Sequence, residues 1–250
     1  MKARILEYTL NSSDTILFFG DELNDRHDFY VSSNTLSREI DVLIFLDSRG
    51  ISSCFEDSII DKIIEEIRDT NSYLLVARPL EITTWMTLYN FMRLNNIKPH
   101  KIITNMGFVD FTPKKITIVE KSIDQYNCYF SQEQAEVEFL EEFLTEDNKS
   151  LDLYIQTYPK SFINEIEIYF KGIPFLIINT PLLQDGYRSP RSRPPSFFKS
   201  IVKSNLFNRS LKLDALIFDF ENFTINESYD GVHYTLKGND VIFSSIKSSL

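Results

Sequence analysis

Glycine is scarce in this sequence, seven residues in 250, so few positions can take a left-handed backbone or admit a close approach by another segment. Cysteine is scarcer still. Cys54 and Cys128 cannot build a disulfide framework, and they lack metal-ligand spacing. With His27, His100 and His233 as the three histidines, a zinc site made from His and Cys is not expected, and no other metal or cofactor is called for. No stretch reaches the roughly 18 apolar residues that a membrane span requires. The first ten residues carry Lys2, Arg4 and Glu7 and no long apolar segment of the kind a secretory signal needs. Basic charge is short as well: 26 Lys and Arg against 36 Asp and Glu leave a net −10, which argues against non-specific nucleic-acid binding. The expectation is a soluble cytoplasmic protein with no nucleic-acid or membrane partner.

What is present alternates. Short apolar runs bounded by polar turns are followed by longer amphipathic stretches, the pattern of a doubly wound, mainly parallel α/β sheet. Arg4–Leu10 and Thr15–Phe19 read as strands. Val42–Leu46 is almost wholly apolar, as a strand buried on both faces must be. It runs into Asp47-Ser48-Arg49-Gly50. Ile59, Ile60, Ile63, Ile64 and Ile67 then recur at helical spacing, with Asp61, Lys62, Glu65 and Glu66 opposite. Further strands are expected at Tyr73–Val76, Lys101–Asn105, Ile173–Asn179 and Ala215–Phe220. Helices are expected over Thr83–Asn95, with Trp85, Leu88, Tyr89 and Met92 packed on the sheet, and from Thr235 to about Ser248.

Two segments stand out by charge. Ser131–Asn148 holds seven acids and no base, and its apolar residues Val137, Phe139, Leu140, Phe143 and Leu144 fit one acidic surface helix. Tyr187–Lys212 holds seven bases and no acid, and Pro190, Pro194 and Pro195 make its first part an exposed loop. That loop follows the strand ending at Thr180-Pro181, so it starts at the carboxyl edge of the sheet, where open α/β sheets bind ligands. Positive charge there would attract an anionic substrate.

The strongest local signal is Asp230-Gly231-Val232-His233-Tyr234-Thr235, a histidine three residues after an aspartate with Thr235 as candidate helix cap. Such an aspartate can fix the imidazole tautomer and support its cationic form. A base needs a nucleophile, and Ser48, between a buried strand and a helix, is the candidate.

Together these residues resemble the SGNH (GDSL-type) serine hydrolase family. The first block, Gly-Asp-Ser after a strand, is similar to Leu46-Asp47-Ser48. The third, Gly-x-Asn-Asp, is similar to Gly107-Phe108-Val109-Asp110, and the last, Asp-x-x-His, is matched by Asp230–His233. A rival first block at Phe18–Glu22 has Glu where serine belongs, and lies too far from Gly107 for one strand–helix–strand–helix–strand passage.

The resemblance implies a flavodoxin-like three-layer domain over residues 41–250, with residues 1–40 as an extension of edge strands and the acidic helix near 131–148 as an insertion. It implies Ser48 as nucleophile, His233 as base and Asp230 as its orienting acid. Backbone N–H groups of Ser48 and Ile82 would form the oxyanion hole. Arg49, Asn105, Gly107, Arg188 and Arg191 become candidate substrate contacts. The substrate would be a small-molecule ester, a small polar O-acyl compound of carbohydrate or anionic type. The departures are Leu46 for the family's first glycine, Glu81 or Ile82 where its second-block glycine falls, and Val109 for its asparagine. Losing one oxyanion donor costs roughly 3–4 kcal/mol of transition-state stabilisation. Asn105, Thr83 and Arg49 are candidate replacements. An acyltransferase with the same serine, or an inactive binding relative, stays open beside an esterase.

Overall fold

The computed structural model describes residues 16–18, 28–31, 39–50, 57–77, 84–129, 136–145 and 147–250. In chain order these form β1 (Ile16–Phe18), β2 (Asp28–Val31), β3 (Glu39–Leu46), a 3-10 turn at Ser48–Gly50, α1 (Ile59–Ile67), β4 (Tyr73–Ala77), α2 (Thr84–Asn95), β5 (Lys98–Thr104) and a short α3 (Phe108–Phe111). There follow α4 (Ile116–Tyr129), β6 (Val137–Leu144), β7 (Ser150–Gln156), α5 (Lys160–Tyr169), β8 (Phe175–Ile178), α6 (Pro195–Ser210), β9 (Ala215–Phe218) and α7 (Leu236–Ile246). The strand expected at Arg4–Leu10 and the candidate donors Ile82 and Thr83 lie outside the described residues.

Seven strands form one sheet in the order β1-β2-β4-β3-β5-β8-β9. β4, β3, β5, β8 and β9 are mutually parallel, and β2 pairs antiparallel with β4, carrying β1 beyond it. By chain rank the parallel strands run second, first, third, fourth, fifth, the flavodoxin-like winding, whose order reverses between the first and third. Here that switch point falls between β3 and β5, directly above Asp47 and Asn105. The sheet is covered on both faces, which is why Leu43, Ile44, Phe45 and Leu46 are all fully buried. On one face the isoleucines of α1 pack with Ile242 and Ile246 of α7 against Val42, Ile44, Leu75 and Ile103. On the other, Trp85, Leu88, Tyr89 and Met92 of α2 pack with Phe162 and Ile166 of α5 against Leu43, Phe45, Ile102 and Phe175. A third, smaller cluster joins Phe197 and Ile201 of α6 to Phe108 and Val232 at the carboxyl edge.

The acidic helix expected over Ser131–Asn148 is corrected by the structure: Val137–Leu144 is a strand, paired antiparallel with β7 in a separate two-stranded sheet. Phe139 pairs with Tyr154, yet the next partner pair is Glu141 with Leu153, so Leu140 is an extra residue at a bulge. The bulge shifts the alternation by one residue halfway along. Apolar residues at 137, 139, 140, 143 and 144 therefore imitate a helical repeat.

Candidate active site

At the end of β3 the chain turns sharply. Asp47 accepts a hydrogen bond from the Arg49 backbone N–H (2.9 Å), and the Gly50 N–H closes onto the Asp47 carbonyl (3.0 Å). Asp47 is also tied to the neighbouring strand end: its own N–H donates to Asn105 Oδ1 (2.8 Å), and Asn105 Nδ2 donates to Asp47 Oδ1 (3.0 Å). The Arg49 guanidinium forks onto the same carboxylate (2.7 Å from Nη2 to Oδ2) and donates to Thr180 Oγ1 and the Asn105 carbonyl. Burial opposes the charge on Arg49, but Asp47 and the Tyr234 hydroxyl raise its pKa, so it stays cationic. Burial pushes the Tyr234 phenol up to about 12. This interior cluster spans the ends of β3, β5 and β8 and leaves the half-buried Ser48 projecting from the turn.

The second half of the site is a loop closed on itself. The Tyr229 N–H and Ser228 Oγ both donate to the His233 carbonyl (3.2 and 3.0 Å), and the Thr235 N–H donates to the Glu227 carbonyl (3.0 Å). Gly231 sits at φ +85° between Asp230 and Val232, a conformation that lets the loop reverse within three residues. Thr235 then caps α7, accepting from the Gly238 N–H at 3.2 Å. Within this loop Asp230 Oδ1 accepts from the His233 and Val232 backbone N–H groups (2.8 and 3.2 Å), and Asp230 Oδ2 lies 3.0 Å from His233 Nδ1. Burial raises the Asp230 pKa, but the His233 ring and backbone N–H groups outweigh it and hold the carboxyl well below the usual carboxylate range. Tyr229 stacks on the imidazole, with ring centres 5.8 Å apart.

The two halves meet where Ser48 Oγ comes within 3.1 Å of His233 Nε2. A negative Asp230 on Nδ1 favours the tautomer whose Nε2 lone pair faces the serine, and an imidazole in that state can accept the Oγ proton. Ser48 lies 185 positions from His233 in the sequence, and only the fold joins it to the Asp230–His233 loop.

The basic segment also reaches this point. Arg191 Nη1 and Arg193 Nη2 lie 3.2 and 3.4 Å from Asp230 Oδ2, and Arg193 stacks on Phe197 with its guanidinium carbon 4.3 Å from the ring centre. Arg193 was not singled out by the sequence, although the run of bases contained it. Arg188 is exposed and makes no ion pair among the described residues.

Three expected substrate contacts turn inward instead. Arg49 is 1% and Asn105 2% exposed, and both are engaged by Asp47. Asn105 and Arg49 therefore do not supply the missing oxyanion amide either. Gly107 is buried too, and its N–H donates to Thr84 Oγ1 (3.0 Å), which donates in turn to the buried Asp110. Among the described residues, no cluster of three or more His, Cys, Asp and Glu side chains could hold a metal ion. No described helix is long and apolar enough to cross a membrane.

Fold and site together define a doubly wound α/β protein with a serine–histidine–aspartate array at the carboxyl edge of its sheet. The sequence matches no protein-family model and no curated protein. Among solved structures it is similar to Est1E from Butyrivibrio proteoclasticus, at 10% identity and TM-score 0.35, covering 94% of this chain and 99% of that one. It is also similar to an esterase from Pyrobaculum calidifontis, at 11% identity and TM-score 0.36, covering 99% and 89%. The chemistry of this chain rests on its own geometry.

Proposed function

We propose that the protein is a serine esterase of SGNH type acting on an O-acyl ester of a small polar molecule, with Ser48, His233 and Asp230 as its triad. The observation that carries this reading is the 3.1 Å approach of Ser48 Oγ to His233 Nε2, backed by the buried Asp230 on the other ring nitrogen. Ser48 Oγ attacks the ester carbonyl carbon while its proton passes to His233 Nε2. The tetrahedral intermediate collapses, the C–O bond to the alcohol breaks, and His233 returns the proton to the leaving oxygen. Water then attacks the acyl carbon as the same imidazole takes its proton, the bond to Ser48 Oγ breaks, and His233 returns the proton to Oγ, freeing the acyl group as a carboxylic acid. Asp230 stays ionised throughout and steadies the imidazolium.

The oxyanion is assigned to the Ser48 N–H and to a backbone N–H near Ile82. Ala77, the last residue of β4, pairs in register with Leu46, so the end of β4 lies beside the Asp47–Ser48 turn. An acyltransferase differs only in that an acceptor alcohol replaces water. An inactive relative is disfavoured by the alignment of all three side chains within hydrogen-bond distance.

Turnover of 4-nitrophenyl acetate tests the proposal. Ser48→Ala and His233→Ala should each lower kcat by about 1000-fold or more, and the double variant should lose no more than the worse single one, because the residues act as a unit. Folded single variants that keep the wild-type rate would contradict it.

A further inference from the structure

One oxygen of the proposed triad is over-supplied with donors. Asp230 Oδ2 faces His233 Nδ1 at 3.0 Å, Arg191 Nη1 at 3.2 Å and Arg193 Nη2 at 3.4 Å. The three partners are not equally fixed. His233 belongs to the closed loop, and Arg193, 23% exposed, is also held over the Phe197 ring. Arg191 has a side chain 57% exposed, against 0% for Asp230, and is the partner free to leave. Beside it opens a groove of about 500 Å3 lined by Phe143, Thr145, Asp147, Pro190 and Ser192.

We propose that Arg191 is the anion-recognition residue of this site, held on Asp230 until a carboxylate on the alcohol moiety of the ester takes its place. This rests on the serine-esterase reading above. Two arguments fix the class of substrate. First, Arg191 is already in contact with a carboxylate, the group whose planar oxygens a guanidinium fork fits best. Second, His233 hands its proton to the leaving oxygen, so the alcohol moiety lies on the His233 side of Ser48. The basic loop is tied to that side, with Ser189 Oγ donating to the Asp230 carbonyl (3.2 Å) and the Tyr187 hydroxyl donating to the Ser228 carbonyl (2.8 Å). Exchange of one carboxylate for another keeps Arg191 paired and leaves Asp230 to His233 and Arg193.

The test is the rate of Ser48 acetylation, followed by intact mass spectrometry, with 4-acetoxybenzoate and with its uncharged amide, each normalised to that ester's rate with imidazole. The wild-type protein should favour the carboxylate by roughly 10- to 100-fold, the range of a charged hydrogen bond. In Arg191→Gln the ratio should fall to about one, and Arg191→Lys should keep only part of it, since an ammonium lacks the fork. Equal normalised rates in the wild type, or a ratio unchanged in Arg191→Gln, overturn the proposal. Labelling by a fluorophosphonate runs in parallel: Ser48 that labels without carboxylate preference, or without acetylation, sinks the anion role alone. Ser48 that neither labels nor acetylates sinks the esterase reading with it.

Discussion

Arg49 follows the proposed nucleophile, yet its side chain points away from solvent and into the interior. It neutralises Asp47 and joins the ends of three strands through Thr180 and Asn105. Replacing it with methionine would leave Asp47 buried and uncompensated, and breaking a buried pair in this way costs about 3–5 kcal/mol. Urea unfolding of Arg49→Met should show that loss; a loss under about 1 kcal/mol would mean the cluster does not hold the turn. The Asp–Ser pair and the Asp-x-x-His spacing were legible in the sequence because each is a local pattern with its own chemistry. Arg49 was not. A buried arginine looks in sequence like any surface arginine, and only the meeting of β3, β5 and β8 makes it interior.

At the scale of elements, α6 is the helix the sequence concealed. The face it buries carries Phe197 and Ile201 in its first half but Ser196, Ser200, Ser204, Asn205 and Asn208 along its length, so its apolar period stops too soon to betray a 16-residue helix. Its amides do the fastening. Asn205 Nδ2 donates to the Thr180 carbonyl (2.8 Å), and Asn208 Nδ2 donates to the Met106 carbonyl and Asn179 Oδ1 (both 2.9 Å). By contrast β3 and α1 were readable, since a strand buried on both faces and an isoleucine stripe each write their environment into composition. β6, whose bulged alternation imitates a helical repeat, has a definite task at α6. Glu141 accepts from the Ser196 N–H (2.9 Å) in the first turn, a cap supplied from another element. Glu141→Ala should cost about 1 kcal/mol, the value of a lost N-cap, and should speed amide exchange at 196–198. Unchanged exchange there would show that the hairpin does not hold the helix start.

Across the whole molecule, acid stability follows from three carboxylates. Hydrogen bonds from Ser72 hold Asp41 below its usual range, and Lys237 and Thr224 hold Glu227 down at about 2. Burial raises Asp230, but His233 more than offsets it. A carboxyl whose folded pKa lies below its unfolded one binds fewer protons in the folded chain. Its contribution is therefore complete above the ordinary carboxylate range and fades as pH falls toward the folded value. Asp110 works with the opposite sign. Burial raises it to about 6, so its contribution is complete below its unfolded value and is lost as pH rises through about 6. The thermal midpoint should therefore rise from pH 6 to 4, as Asp110 takes up its proton, and drop steeply from pH 4 to 2 as the contributions of the other three fade; a flat profile below pH 4 would contradict the assignment. The switch point between β3 and β5, the covered faces and the closed Asp230–His233 loop converge on one serine. The most direct measurement of that claim is fluorophosphonate labelling of the folded protein, read by peptide mass spectrometry. The account predicts a single label on Ser48 that is lost in His233→Ala. A folded wild-type protein that stays unlabelled, or carries its label on another residue, would contradict it.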